Sequence, residues 1–389
     1  MSLRQADVLA AQPRLAISFD ELLEETERLL RRIMAARLAR TPTVAHMLSG
    51  GIDSSLLAWL ATGECPPGSQ LFAVTSAAPP GSGLPDETAY AQLAARTLDM
   101  ACHPVWPAGE ANIYRPRLPI LTGQNGPPFS NRHTLTDALV TRAMAEGGTV
   151  MIDGTYGEMT ATIRLPQSGG RHRLRVGMAR VLRQLRKRGR GEVPLGPFHV
   201  RLAPHRLAKL PAEIDETLAA PMPEPETMRR PDDLFGYVAG IDRGLGLPTE
   251  FYPGGLRTEF PFRDVRLLRL FAGVPVSTIM QGGADRSVAR RMMEGHLPDA
   301  IRLRPRGMAA SPDHNRRLQD QATAARKRVA AFRKAGIDDW LDLDWLDQAL
   351  TGMAIAGPRD VTHGNSVQMT AIMAEFLLWW HDQGSGVTP

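Results

Sequence analysis

Apolar residues Leu22, Leu29, Ile33 and Leu38 recur at the spacing of one face of an α-helix. Ser18 and Glu21 stand ahead of that stripe as a capping-box pair, so the helix is predicted to begin at Ser18. The pattern then changes. Short apolar runs at residues 44–48, 71–76, 102–105 and 150–152 read as strands, while LLAWLA after the first run and residues 88–98 read as helices. Strands alternating with helices predict an α/β fold with a parallel, doubly wound sheet. Beyond about residue 165 strand signals fade, and VRLLRLFAGV, DRSVARRMMEGHL and SVQMTAIMAEFLLWW keep helical spacing. The predicted organisation is a helical segment over 1–40, an α/β domain over 41–165 and a mainly helical lobe over 166–389. Residues 168–170 are the candidate connection.

Composition adds limits. The 389 residues, 43% of them hydrophobic and 22% charged, can bury a large core divided between two lobes. Two cysteines, Cys65 and Cys102, are too few for a disulfide framework and lack zinc-site spacing. The first twenty residues have no secretory pattern and no run reaches membrane-spanning length, so a cytoplasmic protein without a membrane anchor is expected. A net charge of +5 suits an anionic ligand without choosing one. Residues 171–190 read as a basic amphipathic helix. It is taken as a surface helix or lid, because no aromatic platform or nucleic-acid module accompanies it.

The candidate chemistry lies in SGGIDSS, Ser49 to Ser55, between a predicted strand and a predicted helix. Gly50 and Gly51 let the backbone turn and present amide N–H groups, while the following helix aims its positive end at a docked anion. Ser49, Ser54 and Ser55 can donate to phosphate oxygens, and Asp53 can hold magnesium. His103, at a strand end, reads as a structural hydrogen-bonder. Pro261 and Phe262 read as core residues, and Asp264 as the cap of the next helix.

SGGIDSS resembles the SGGxDSS signature of the PP-loop ATP pyrophosphatases, in particular the asparagine synthetase branch. Further stretches fall in the family's order: Asp86 and Glu87 with the helix that follows, DGTYGE at Asp153 to Glu158, GLRTEFPFRD before RLLRLFAGVP, RRMMEGHLPDA, and IRLRPRGMAASPD. The resemblance implies an adenine nucleotide α-hydrolase-like ATP domain followed by a helical lobe. It implies ATP contacts from Leu48, Ser49, Gly50, Gly51, Asp53, Ser54, Ser55, Thr75 and Gly154, and Mg2+ held by Asp53 and Glu158. The implied reaction has two halves: a carboxylate attacks the α-phosphorus of ATP with loss of pyrophosphate, and an amine then attacks the acyl-adenylate.

Three departures from the family pattern involve four positions. Glu158 replaces an aspartate, Arg306 stands at the catalytic lysine, and Arg257 and Glu259 exchange the glutamate and arginine of GLExR. Glu259 with Tyr156 is the candidate base for the amine in that exchanged arrangement. The family's glutaminase domain, with its cysteine after the initiator methionine, is expected to be absent, since residue 2 is serine. The expected partner is therefore a substrate carrying a carboxylate and an amine, such as a ribosomal peptide, as in β-lactam and lasso-peptide macrolactam synthetases. Ammonia-dependent amidation of a small metabolite, ammonia from a partner protein and a nucleotide-binding scaffold are the rival expectations, with tRNA modification ranked last.

Overall fold

The computed structural model describes residues 15–109, 111–117, 132–163, 193–195, 198–207, 251–252, 255–281, 285–305, 307 and 311–384. The opening stripe folds as helix α1 (Phe19–Leu38), with Leu22, Leu29, Ile33 and Leu38 buried. Ser18 starts it as expected. The Glu21 amide donates to the Ser18 hydroxyl at 3.2 Å, and the Ser18 amide donates to the Glu21 carboxylate at 2.7 Å, closing the capping box.

Strand β1 (Thr43–Met47), helix α2 (Ile52–Glu64), strand β2 (Gln70–Ser76), helix α3 (Thr88–Thr97), strand β3 (Ala101–Val105), helix α4 (His133–Ala145) and strand β4 (Val150–Ile152) follow in order. Strands β5 (Val193–Leu195) and β6 (Phe198–Val200) form a separate antiparallel pair. Strands β7 (Phe251–Tyr252) and β8 (Leu256–Glu259) return to the main sheet, whose order among the described residues is β3-β2-β1-β4-β8-β7. All neighbours in it pair in parallel except β7, which runs antiparallel to β8.

Side-chain alternation divides the sheet into two faces. Val44 and Ile152 pack with Leu30 and Ile33 of α1 and Leu56 and Leu60 of α2. Ala45, Phe72, Val74 and Met151 pack with Leu135, Leu139 and Val140 of α4. This is the parallel α/β fold of the PP-loop ATP pyrophosphatases. The sheet takes its fifth parallel strand from beyond residue 165, where strand signals had faded. The cause is local: LRTE is short and half charged, so β8 shows no apolar run, yet Leu256, Thr258 and Glu259 are buried. Helix α1 shares one core with the sheet.

Helices α5 (Val265–Gly273), α6 (Val276–Ile279), α7 (Ser287–Met292) and α8 (Asp299–Arg302) lead away from β8, and Leu268, Phe271, Val288 and Met293 join the α1–α2 core. Asp264 caps α5 as expected, its side chain accepting from the Arg266 amide. Helices α9 (His314–Lys327), α10 (Val329–Lys334), α11 (Leu343–Ala356) and α12 (Val361–Gly384) build a second core around Leu318, Phe332, Leu346, Val367 and Ile372.

The loop after β3 ties the two cores together. Arg317 of α9 donates to the carbonyl of Ala108 at 3.2 Å, Tyr114 donates to the carbonyl of Leu318 at 2.7 Å, and Gln368 of α12 donates to the carbonyl of Ile113 at 2.9 Å. No helix among the described residues is long and apolar enough to cross a membrane. The connection at 168–170 and the basic stretch at 171–190 lie outside the described residues.

Candidate active site

The chain leaves β1 toward β2 and β3 on one side of the sheet, and the sheet continues through β4 and β8 on the other. The carboxyl ends of β1 and β4 therefore flank a topological switch point, where open α/β sheets leave a crevice for ligand. SGGIDSS follows β1 and DGTYGE follows β4, so the sheet order alone brings the two stretches together.

Gly50 turns the first loop with φ of +68°, and a side chain there would bring its Cβ within 2.5 Å of the Tyr90 backbone. Only glycine fits both conditions. Gly51 then opens α2 with no side-chain cap on its first turn. An uncapped helix start is where an anion finds backbone donors and the positive end of the helix dipole. The hydroxyls of Ser49 and Ser54 lie 3.0 Å apart, and the Gly51 amide donates to Ser49 at 3.2 Å, which holds the loop in shape.

Leu48 is anchored to β2 by its amide, which donates to the Val74 carbonyl at 3.0 Å. Ser55 is fully covered and its hydroxyl has no hydrogen-bond partner, so it faces the core under the loop. Thr75, near the end of β2, is also a buried hydroxyl without a partner.

The stretch after β4 closes onto this loop from the side. Gly154 approaches so closely that a Cβ would lie 3.0 Å from the Ser54 amide nitrogen, and a Cβ on Gly157 would run into the Asp53 carboxylate. Asp53 accepts a hydrogen bond from Thr162. Glu158 follows Gly157 within a single 3-10 turn (Gly157–Met159), so the backbone that carries it abuts Asp53. Asp53 and Glu158 are oxygen donors on adjoining stretches of backbone beside an anion cradle, a donor type that fits magnesium, which takes a few carboxylates and fills its shell from phosphate and water. Asp153 adds charge nearby. Burial raises its carboxyl above the usual range, against hydrogen bonds from Thr155, while Arg132 lowers it and Asp53 raises it further.

A family model described as asparagine synthase matches residues 25–159 and 254–381, more than half of the chain and including both loops. The chain belongs to the asparagine synthase family. No curated protein matches it. Membership makes the chain an ATP-dependent ligase of the amidating kind.

Other residues shared with the asparagine synthase pattern turn out to brace the loop. Buried Arg304 donates to Glu87 at 2.6 Å and to the Gly50 carbonyl at 3.4 Å, and its guanidinium lies 3.8 Å from the Tyr90 ring centroid. Arg290 donates to the carbonyls of Asp285, Arg302 and Arg304 at 2.7, 2.8 and 3.2 Å. It thereby fixes the strip that leads to Arg306, a residue outside the described ones. Sequence reading assigned no role to Arg304, Glu87 or Arg290. Their signal was present as charged positions inside the matching stretches, but a pairing across more than two hundred residues leaves no local trace.

The edge at β8 is organised differently. Arg257 and Glu259, the exchanged positions, form an ion pair at 2.8 Å, and Arg37 of α1 also contacts the Glu259 carboxylate. Arg37 reaches Asp264 at 3.5 Å, and Arg257 donates to the Arg37 carbonyl at 3.3 Å. Tyr156 adopts a left-handed conformation, φ +77°, with its ring edge-on to Phe260, the residue after Glu259, at 5.8 Å. Such a backbone costs a non-glycine residue of the order of 1–3 kcal/mol and is kept where surrounding contacts dictate it. His103 serves as expected: Arg142 donates to its Nδ1 at 2.7 Å.

Proposed function

We propose that this chain uses ATP to adenylate a substrate carboxylate and then joins the acyl group to an amine on the same substrate, closing a lactam. The carrying observation is the convergence of the uncapped α2 start with Asp53 and the Glu158 turn at the switch point. A carboxylate oxygen attacks the α-phosphorus, the bond to the β-phosphate oxygen breaks, and pyrophosphate leaves. The amine then attacks the acyl carbon, AMP leaves with the electron pair of the acyl–oxygen bond, and the amine loses a proton.

In this reading Ser49, Gly50, Gly51 and Ser54 hold the phosphates, with Leu48, Thr75 and Gly154 shaping the nucleotide pocket. Asp53 and Glu158 would hold magnesium, which would offset charge on the leaving pyrophosphate. Arg306 takes the place of the family's lysine beside the reacting phosphate, keeping its charge with a planar, five-donor group. The chain's own chemistry is positioning and electrostatics.

Two features bear on the amine. Both cysteines are free, and burial raises both thiols, Cys102 to about 11, so neither is suited to release ammonia from glutamine. Glu259 has its oxygens engaged by Arg37 and Arg257, so accepting a proton from the amine first requires one guanidinium to give way. We therefore take Glu259 as the residue that fixes the β8 edge beside Tyr156, with a direct base role as the competing outcome of its substitution. The family match itself favours a second reading, ammonia-dependent amidation of a small carboxylate.

Pyrophosphate release by the purified chain with ATP and magnesium tests both. Release that requires an amine-bearing peptide substrate, and is lost in Asp53→Ala, supports the lactam reading. Release with aspartate and ammonium alone selects the second, and ATP binding without release on any carboxylate leaves a nucleotide-binding scaffold.

A further inference from the structure

Beneath the phosphate loop the sheet contains a polar side chain that the proposed reaction does not use. His46 on β1 is fully buried in a face otherwise occupied by Val44, Leu48, Ala73 and Ile152. Its Nε2 lies 2.7 Å from the carbonyl oxygen of Ser54, while Nδ1 has no hydrogen-bond partner. The carbonyl can only accept, so Nε2 carries the proton and Nδ1 is the bare acceptor. A buried polar atom without a partner costs free energy that an aliphatic residue at the same place would not incur. Its register partners are Ala73 on β2 and Ile152 on β4, so the imidazole stands in an otherwise aliphatic row.

What His46 does with its one hydrogen bond is specific. It ties the first turn of α2 to the strand from which the phosphate loop departs. Ser54 is the residue whose hydroxyl holds Ser49 and whose amide faces Gly154, and it adjoins Asp53. The glycine at the N-cap offers no side-chain cap, so the turn is held by the hydroxyl contact of Ser54 with Ser49, by the Thr162–Asp53 hydrogen bond and, from beneath, by this internal tether.

We propose that His46 is a positioning residue for the nucleotide. Through the Ser54 carbonyl it sets the angle at which the start of α2 meets the phosphates. The inference rests on the ATP-dependent reading and adds to it a determinant of ATP affinity that lies below the loop and touches no ligand.

The test compares three variants of the full chain by calorimetric titration with MgATP and by thermal melting. His46→Gln carries an amide nitrogen to the place of Nε2, His46→Asn stops at the place of Nδ1, and His46→Leu removes the donor. One hydrogen bond predicts that Leu and Asn weaken MgATP binding roughly 3- to 10-fold, while Gln stays within about twofold of the wild type. With a peptide that carries a carboxylate and a primary amine and supports pyrophosphate release, the loss should appear in KM for ATP rather than in kcat.

A purely structural histidine would lower the melting temperature in all three variants without this ordering. Equal affinities in Leu and wild type, or a Gln variant as weak as Asn, overturn the proposal. If Leu does not fold, the Gln and Asn pair still decides it. Wild-type protein that fails to bind MgATP instead overturns the ATP reading itself.

Discussion

The two sides of the crevice are built from different materials. At the end of β1 the loop is shaped by backbone: a left-handed glycine, an uncapped helix start, and two glycines of the β4 stretch pressed against Ser54 and Asp53. At the end of β8 the same sheet is finished by charge, with Arg37, Arg257, Glu259 and Asp264 in one network. Backbone geometry admits few substitutes, so the SGGIDSS loop keeps the family's signature, and on the β4 stretch the change at Glu158 keeps the carboxylate. An ion pair can be turned around without loss of charge balance, and the second side has been: arginine and glutamate have traded places and still face each other. A cradle constrains identity, whereas a charge network constrains only the sum.

The sharpest way to break that contrast is Asp53→Ala. If the β1 side is the phosphate and metal site, pyrophosphate release should fall by a few hundredfold, about 3–4 kcal/mol in the barrier, while the melting temperature changes little. A variant that still turns over near the wild-type rate would remove the β1 side from the chemistry.

Arg304→Met comes next. The guanidinium is buried against Glu87 and the Gly50 carbonyl, and deleting one partner of a buried pair leaves the other charge uncompensated, at about 3–5 kcal/mol of stability. Denaturant unfolding should show that loss, and Arg304→Met combined with Glu87→Leu should recover part of it. Two losses that simply add would mean that the pair does not brace the loop as drawn.

The same contrast explains what the sequence disclosed. SGGIDSS was legible because glycine and serine at fixed spacing reflect local backbone demands, and the capping box at Ser18 and the cap at Asp264 were legible for the same reason. Strand β8 was not, because Leu256, Thr258 and Glu259 owe their burial to neighbouring elements, β4 among them, rather than to an apolar run. Tyr156 was legible as a candidate beside Glu259, but its left-handed backbone and its contact with Phe260 leave no local trace in the sequence. Ser55 carries the same hydroxyl as Ser54 in the loop pattern; in the folded helix it is fully covered and its hydroxyl has no partner, a placement that the sequence alone did not show.

Glu259→Gln tests the charge side directly. The amide keeps the shape and a neutral acceptor but gives up the charge that Arg37 and Arg257 share, so a loss of about 1–2 kcal/mol in stability is expected. With a competent substrate, adenylation measured by pyrophosphate exchange should persist. Product formation then separates the roles. Near-normal product fits a carboxylate that fixes the edge, whereas adenylation without product assigns Glu259 to removal of the amine proton.

The smallest effect should come from Ser18→Ala, and it is informative because α1 joins the two kinds of construction. Its amino end is set by the Ser18–Glu21 capping box, and its carboxyl end supplies Arg37 to Glu259. Twenty residues of helix separate them by about 30 Å. Losing the cap should cost about 1 kcal/mol and leave the apolar face of α1 in its core. Melting should shift by a few degrees while MgATP affinity and pyrophosphate release stay at wild-type values, because fraying of the first turn does not propagate past Leu22 and Leu29. A Ser18→Ala protein with normal melting but altered amine transfer would mean that α1 moves as a rigid lever on the β8 edge. The charge network would then be a moving part rather than a fixed wall.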